Sequence, residues 1–347
     1  MKTNDRCRVA VVGASGYAGE ELVRLLLAHP HAELTAVTSR QYLGKKISQV
    51  FPRFARLATA DAISFSDSDP ASIARRADIV FLALPHGVSA EFAKPVLDRD
   101  ARVIDLSADF RLRNADLYRE FYGKDHTAPE LLAQSTYGLP ELYRNQIHDA
   151  PLVACPGCYP TSILIPLLPL MRERLIEPGS ICVTSLSGVT GTGRKVEADY
   201  LFAECNESIR PYAVPKHRHL SEIEQELSLL AAGPVTIQFI PHLVPANRGI
   251  VTTICANVRS EERDRIGSVM ENFSRDEPFV RLLTGEQLPD TKNVVGTNFI
   301  DVAWRFDPRT KRIILMSAID NIVKGTSGQA VQCMNLMREF PETAGLL

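Results

Sequence analysis

Residues 7–30 read CRVAVVGASGYAGEELVRLLLAHP, the stretch that restricts the fold most tightly. Cys7–Val12 is a short apolar run, as expected of a strand buried on both faces in a parallel sheet. Gly13, Gly16 and Gly19 follow in the spacing G-x-x-G-x-x-G, and Leu22, Val23, Leu25 and Leu26 then form one apolar helical face. This order of elements has a mechanism. The first glycine permits a sharp turn, the second lets backbone approach a pyrophosphate, and the third lets helix and strand pack closely. N–H groups at the helix start then receive phosphate oxygens. Ser15 and Tyr17, inside the same turn, join the three glycines as expected cofactor contacts.

A second strand, AELTAVTSR, arrives at the distance such a unit requires, about 20 residues beyond the motif. Strands that serve NAD end in an acidic residue that grips the ribose 2′-hydroxyl. This one ends in Thr38-Ser39-Arg40. A hydroxyl followed by a guanidinium suits a 2′-phosphate, so Ser39 and Arg40 point to NADP(H). Ile79–Leu84 reads as a further buried strand, followed by Pro85-His86-Gly87. Leu84, Pro85 and His86 are expected on the cofactor side. ARVIDLSADFRL gives another strand, with Ser107 and Arg111 just past its end, where ligands of doubly wound sheets sit.

The bulk numbers exclude several classes. The chain has 347 residues, 23% of them charged, and a net charge of −2, so no basic field recruits nucleic acid or an anionic membrane. No window approaches the roughly 20 apolar residues of a membrane helix. The N-terminus enters an apolar strand after a short polar lead, without signal-peptide architecture, and the seven scattered cysteines need no disulfide framework. A cytosolic location is expected.

ACPGCYPT, residues 154–161, places Cys155 and Cys158 around a Pro-Gly turn between a strand, Leu152–Ala154, and a helix. Three readings compete. A C-x-x-C redox pair would open a redox domain, whereas this pair lies mid-chain. A zinc site needs a second pair or histidines at ligand spacing, and no second C-x-x-C exists, so no metal is expected. A single nucleophile needs one activated thiol and a base from elsewhere. Cys158, just ahead of a helix N-terminus, suits that third reading, because the helix dipole favours a thiolate there. Pro166 and Pro169 predict that the helix kinks or breaks.

KHRHLSEIEQEL supplies the base. Ser221 and Glu224 have capping-box spacing, so His217 and His219 lie immediately upstream of a helix, in a loop or an extended lead, and point the same way if the lead is extended. The positive helix end keeps an imidazole neutral and able to take a proton. SGVTGTGRK, residues 187–195, is a glycine-rich loop that brings Arg194 and Lys195. PHLVPANRG brings Arg248 to the end of another strand. Strands around 181–186, 235–244, 250–257 and 312–318 read as antiparallel or mixed. The expected fold is therefore α/β. A Rossmann-like, doubly wound nucleotide-binding domain spans residues 1–157 and is rejoined by the C-terminal helix 325–347. A mixed α+β substrate and dimerisation domain spans 158–324.

Nine segments in register resemble one family: GASGYAGEELVRLL, ALPHG, DLSADFR, YGLPE, PGCYPT, SGVTGTGR, KHRHLSEIEQ, PHLVPANRG and DNIVKGTSGQAVQ. They are similar to the longer-type N-acetyl-γ-glutamyl-phosphate reductases, relatives of the aspartate-semialdehyde dehydrogenases. The resemblance implies that NADPH reduces an N-acetylglutamyl 5-phosphate to the semialdehyde in arginine biosynthesis, releasing inorganic phosphate. It implies Cys158 as nucleophile, not Cys155, where the family more often carries Asn. It implies His217 as acid/base and Ser107, Arg111, Lys195, His219 and Arg248 as substrate contacts. Ser187, Gly188, Asn321 and Gly325 are implied near the cofactor, and a homodimer or homotetramer is implied as the assembly. The same chemistry on an aspartyl or N-acetyl-aminoadipyl phosphate is the near alternative. A nucleotide-binding redox sensor using Cys155 and Cys158 is the distant one.

Overall fold

The computed structural model describes residues 6–194, 196–259 and 262–347. The chain divides into two units: one ends at Pro156 and is rejoined by Thr326–Leu347, and the other runs Gly157–Gly325.

Among the described residues the first unit holds a parallel sheet of seven strands. They are β1 (Cys7–Val12), β2 (Ala32–Thr38), β3 (Phe65–Ser66), β4 (Ile79–Leu82), β5 (Arg102–Asp105), β6 (Ser135–Tyr137) and β7 (Leu152–Ala154). Their order is β3-β2-β1-β4-β5-β7-β6. β1 pairs with β2 on one side and β4 on the other, with Val9 opposite both Leu34 and Ile79. Val9, Val11, Val12, Ile79 and Phe81 are fully buried. Each such side chain contributes about 1.5–3 kcal/mol, which explains an uninterrupted apolar run where a half-exposed strand would alternate. The strand order reverses between β1 and β4, so the crevice at their carboxyl ends is where a doubly wound sheet receives ligands. The helix Tyr17–Ala28 buries Leu22, Val23, Leu25 and Leu26. The C-terminal helix Gly328–Met337 packs against it and against the helix Pro140–Asp149.

The second unit holds β8 (Cys182–Ser187), β9 (Arg210–Pro211), β10 (Gln238–Leu243), β11 (Ile250–Asn257), β12 (Val280–Leu282), β13 (Ile300–Asp307) and β14 (Arg312–Ile319). Their order is β12-β13-β14-β11-β8-β10-β9. β8 with β10 and β12 with β13 are parallel, and the other neighbours are antiparallel. Along β11 buried and half-buried residues alternate strictly, so one face is core and the other is not.

The helix Cys158–Arg172 packs on β11 and β14. Of the expected kink or break, the break does not occur: the helix runs as one 15-residue element through Pro166 and Pro169. A proline at 166 removes the N–H that would bond the Ser162 carbonyl. The Ser317 hydroxyl donates to that carbonyl instead, at 2.7 Å. Under the same helix, the Thr252 hydroxyl lies 2.8 Å from both the Ser162 and Ser185 hydroxyls. One tertiary donor, Ser317, therefore repairs the gap at Pro166, which sequence periodicity cannot foresee.

Candidate active site

In the first unit the glycine turn closes on itself. Gly13 has φ +81°, and a Cβ there would overlap the Ala83 carbonyl oxygen. A Cβ at Gly19 would stand 2.5 Å from the Gly13 carbonyl oxygen. Gly16 caps the Tyr17–Ala28 helix with no side chain bonded across its first N–H groups. The turn is pinned to the end of β2: Gly13 N–H donates to Thr38 Oγ1 at 3.2 Å, and Ser39 Oγ donates to Ser15 Oγ at 3.0 Å. Arg40 stands exposed beside them. Backbone that only glycine permits, an uncapped helix start and a cation one residue past a buried serine suit a dinucleotide carrying a 2′-phosphate.

Leu84, Pro85 and His86 follow β4, and Leu84 walls this turn, with its Cδ2 3.2 Å from where a Gly13 Cβ would be. Ser107 is buried and donates through its N–H and hydroxyl to the Asp105 carboxylate, at 3.0 and 2.8 Å. Burial and neighbouring Asp109 push the Asp105 carboxyl up to about 7. Arg111, also buried, donates from Nε to the Cys155 carbonyl at 2.7 Å and from Nη2 to the Leu106 carbonyl at 2.9 Å. One of its donors is thus committed to the cysteine turn and another to the chain just past β5.

In the second unit Cys158 is the first residue of its helix and Gly157 is the N-cap. The sequence put Cys158 just before the helix; it lies one residue further in. Cys158 is half-buried, Cys155 is fully buried, and no disulfide joins them. The Gly157 N–H donates to Glu222 Oε2 at 3.0 Å. A Cβ at Gly157 would lie 2.6 Å from His219 Nε2, so that imidazole sits directly on the turn. A Cβ at Gly325 would lie 2.7 Å from the Cys158 Cβ.

The histidines are arranged differently from an extended lead. His219 is the N-cap of the helix Leu220–Ala231, and its N–H donates to His217 Nδ1 at 3.1 Å. A neutral His217 therefore carries its proton on Nε2. Its ring lies edge-on to those of Tyr159, Tyr212, Phe239 and His219. Burial first, and the Arg218 charge second, lower the His217 imidazole from 6.5 to about 4. The direction is the one the sequence predicts; the dominant cause is desolvation. The expected capping box does not form, because Ser221 Oγ donates back to the Arg218 carbonyl and Glu224 accepts the Ile237 N–H.

The remaining anchors of the second unit are tied to one another. Asn321 Oδ1 accepts the Gly249 N–H at 2.8 Å, and its Nδ2 donates to Thr190 Oγ1 at 3.0 Å. Arg248 pairs with buried Asp320 at 3.5 Å. Ser187 is buried beside Gly188, where a Cβ would meet the Asn247 backbone at 2.8 Å. Lys195 lies outside the described residues. Among the described residues no group of three or more His, Cys, Asp or Glu side chains is arranged to hold a metal.

Comparison with known proteins decides the family. The model "Semialdehyde dehydrogenase, NAD binding domain" matches residues 8–150, and "Semialdehyde dehydrogenase, dimerisation domain" matches 158–321. A curated relative from Akkermansia muciniphila, named N-acetyl-gamma-glutamyl-phosphate reductase, is 53% identical over 98% of each chain. One of the same name from Geobacter metallireducens is 47% identical over 97% of each. The chain belongs to the N-acetyl-gamma-glutamyl-phosphate reductase family. The fold extends further: aspartate semialdehyde dehydrogenase II of Vibrio cholerae superposes with a TM-score of 0.73 at 17% identity, covering 97% of this chain and 99% of that one.

Within the reductase family's frame, three residues near the cysteine went unnoticed in the sequence. Glu222 had a usable signal, since it lies three residues after His219 and so one helical turn along. Tyr159 and Tyr212 had none. Their hydroxyls meet at 3.0 Å across 53 residues of chain.

Proposed function

We propose that the chain catalyses the NADPH-dependent reductive dephosphorylation of N-acetyl-L-glutamyl 5-phosphate to N-acetyl-L-glutamate 5-semialdehyde, in arginine biosynthesis. The observation that carries the chemistry is Cys158 at a helix start, with His219 and Glu222 gathered on its turn. The substrate follows from the name of curated relatives about half identical along the chain.

The Cys158 sulfur attacks the acyl phosphate carbon, forming a thioester and releasing inorganic phosphate. N–H groups at the start of its helix stabilise the oxyanion as it develops. The glycine turn, Ser39 and Arg40 would hold NADPH, which when bound would supply the hydride that reduces the thioester. The resulting thiohemiacetal on Cys158 collapses, releasing aldehyde and regenerating the thiolate. An imidazole handles the proton in that collapse. The sequence assigns this role to His217 and a substrate contact to His219. The geometry supports exchanging them: His219 Nε2 lies against the cysteine turn, while His217 sits in an aromatic enclosure with Nδ1 bonded to the His219 backbone. Ser107, Arg248 and Lys195 remain proposed substrate contacts. Arg111 supports the turn through the Cys155 carbonyl.

We place the enzyme in the cytosol, as a homodimer or homotetramer. The dimerisation-domain match and the one-sided sheet support an assembly through the half-buried face of β8, β11 and β14, where Leu186, Val251 and Met316 stand. Among the described residues no helix is long and apolar enough to cross a membrane.

The test is the reverse reaction, because the acyl phosphate is unstable. Purified protein with NADP+, phosphate and N-acetylglutamate semialdehyde is expected to form NADPH. Turnover of aspartate semialdehyde instead moves the substrate to the sister family. NADPH binding without turnover of either aldehyde favours the redox-sensor reading.

A further inference from the structure

The Pro85-His86-Gly87 loop, exposed at Pro85 and half-buried at His86 and Gly87, is held by residues to which neither the family resemblance nor the chemistry above assigns a role. The loop borders the glycine turn, because Ala83 and Leu84 fill the space a Gly13 side chain would need. Asp109, fully buried, accepts the Gly87 N–H at 2.6 Å on Oδ1 and the Ala90 N–H at 3.2 Å on Oδ2, and the Tyr118 hydroxyl donates to Oδ1 at 3.0 Å. The Ala108 N–H donates to His86 Nδ1 at 3.1 Å, which leaves the proton of a neutral ring on Nε2. Lys124 donates from Nζ to the His86 carbonyl at 2.8 Å. Gly87 has φ +80°, and a Cβ there would collide with the Lys124 ammonium.

A buried carboxylate costs several kcal/mol unless its oxygens are bonded. Here two of its three donors are N–H groups of one surface segment, Gly87 and Ala90. Surface loops are ordinarily the mobile parts of a fold. This one is fixed at its side chain, its carbonyl and its two N–H groups by the segment 108–124. Such a clasp preorganises the wall against which a dinucleotide lies, so that binding does not have to order it.

We propose that Asp109 and Lys124 are positioning residues for the cofactor, acting through the His86-Gly87 loop. This rests on the reading of the glycine turn as the NADP(H) site. Lys124 is exposed, so its variants test the clasp without endangering the fold.

NADPH binding is measured by fluorescence titration, beside kinetics in the reverse direction. Lys124→Ala is expected to raise the NADPH Kd and the NADP+ KM about tenfold, the worth of one charged hydrogen bond. kcat and the KM for phosphate should stay within about twofold of wild type on the same scale. Lys124→Arg should restore most of the affinity. Asp109→Asn, which keeps one acceptor oxygen and turns the other into a donor facing one of the two N–H groups, should weaken NADPH binding further. Wild-type affinity in Lys124→Ala, or a loss confined to kcat, overturns the clasp while leaving the cofactor site intact. A wild-type protein that binds no NADPH overturns the cofactor site and the clasp together.

Discussion

Glu222 Oε2 accepts the Gly157 N–H at 3.0 Å, while its other oxygen stands 3.9 Å from His219 Nε2. One buried carboxylate thereby sets the backbone immediately before the nucleophile and the imidazole beside it. Glu222→Gln keeps an acceptor for Gly157 and removes the charge that supports a protonated His219. Turnover in the reverse assay is expected to fall about ten- to a hundredfold, with the fold retained. Unchanged kcat would mean that His219 needs no anionic partner.

Cys158→Ser tests the thioester directly. An alkoxide is a far poorer leaving group than a thiolate, so turnover should vanish while NADPH fluorescence titration stays at the wild-type value. Retained turnover would require a different nucleophile. Cys155 is buried and has no path to that role.

Gly325→Ala should slow the enzyme by crowding the cysteine, since its new Cβ would stand 2.7 Å from that of Cys158. Overpacking of this kind costs about 1–3 kcal/mol. Both the melting temperature and the rate of Cys158 alkylation by iodoacetamide are expected to fall. An unmoved alkylation rate would show that the turn absorbs the methyl group elsewhere.

His217 makes stability depend on pH. Its folded-state pKa is lowered from 6.5 to about 4 by burial and Arg218. Below pH 6.5 the unfolded chain takes up a proton that the folded one refuses. The contribution is fully present above that pH and is lost as the pH falls toward 4. Its full size is about 3 kcal/mol. Urea unfolding of His217→Gln between pH 7 and pH 4.5 should therefore show a weaker decline than wild type. Parallel declines would place the destabilising protonation on another group.

Arg40→Asp puts an acid where the 2′-phosphate is expected and restores the residue type that grips a ribose hydroxyl. The ratio of kcat/KM for NADP+ over NAD+ should drop roughly ten- to a hundredfold. An unchanged ratio would show that Ser39 and the backbone alone hold the phosphate.

The buried parallel strands were legible because a strand covered on both faces must be apolar: β4 and β7 are apolar throughout, and β1 is apolar from Val9 onward, with Arg8 exposed at its start. β13 was not legible. IDVAWRFD interrupts the apolar pattern with Asp301 and Arg305, and Asp301 is buried only because Arg281 reaches it at 2.6 Å from another strand. The capping box failed for a related reason: Ser221 and Glu224 have the right spacing, yet His219 is the N-cap and other partners took both side chains.

What the sequence determined by itself is local and periodic: the glycine turn, the helix that starts at the cysteine, the polar ending of β2. These depend on steric freedom, apolar spacing and caps within a few residues. The tertiary structure alone decided which groups stand around the sulfur. Glu222 lies 65 residues from the Gly157 N–H it accepts, and Ser317 lies 155 residues from the carbonyl that Pro166 leaves open. A buried polar atom must find a partner wherever the fold brings one, and chain spacing does not encode that distance.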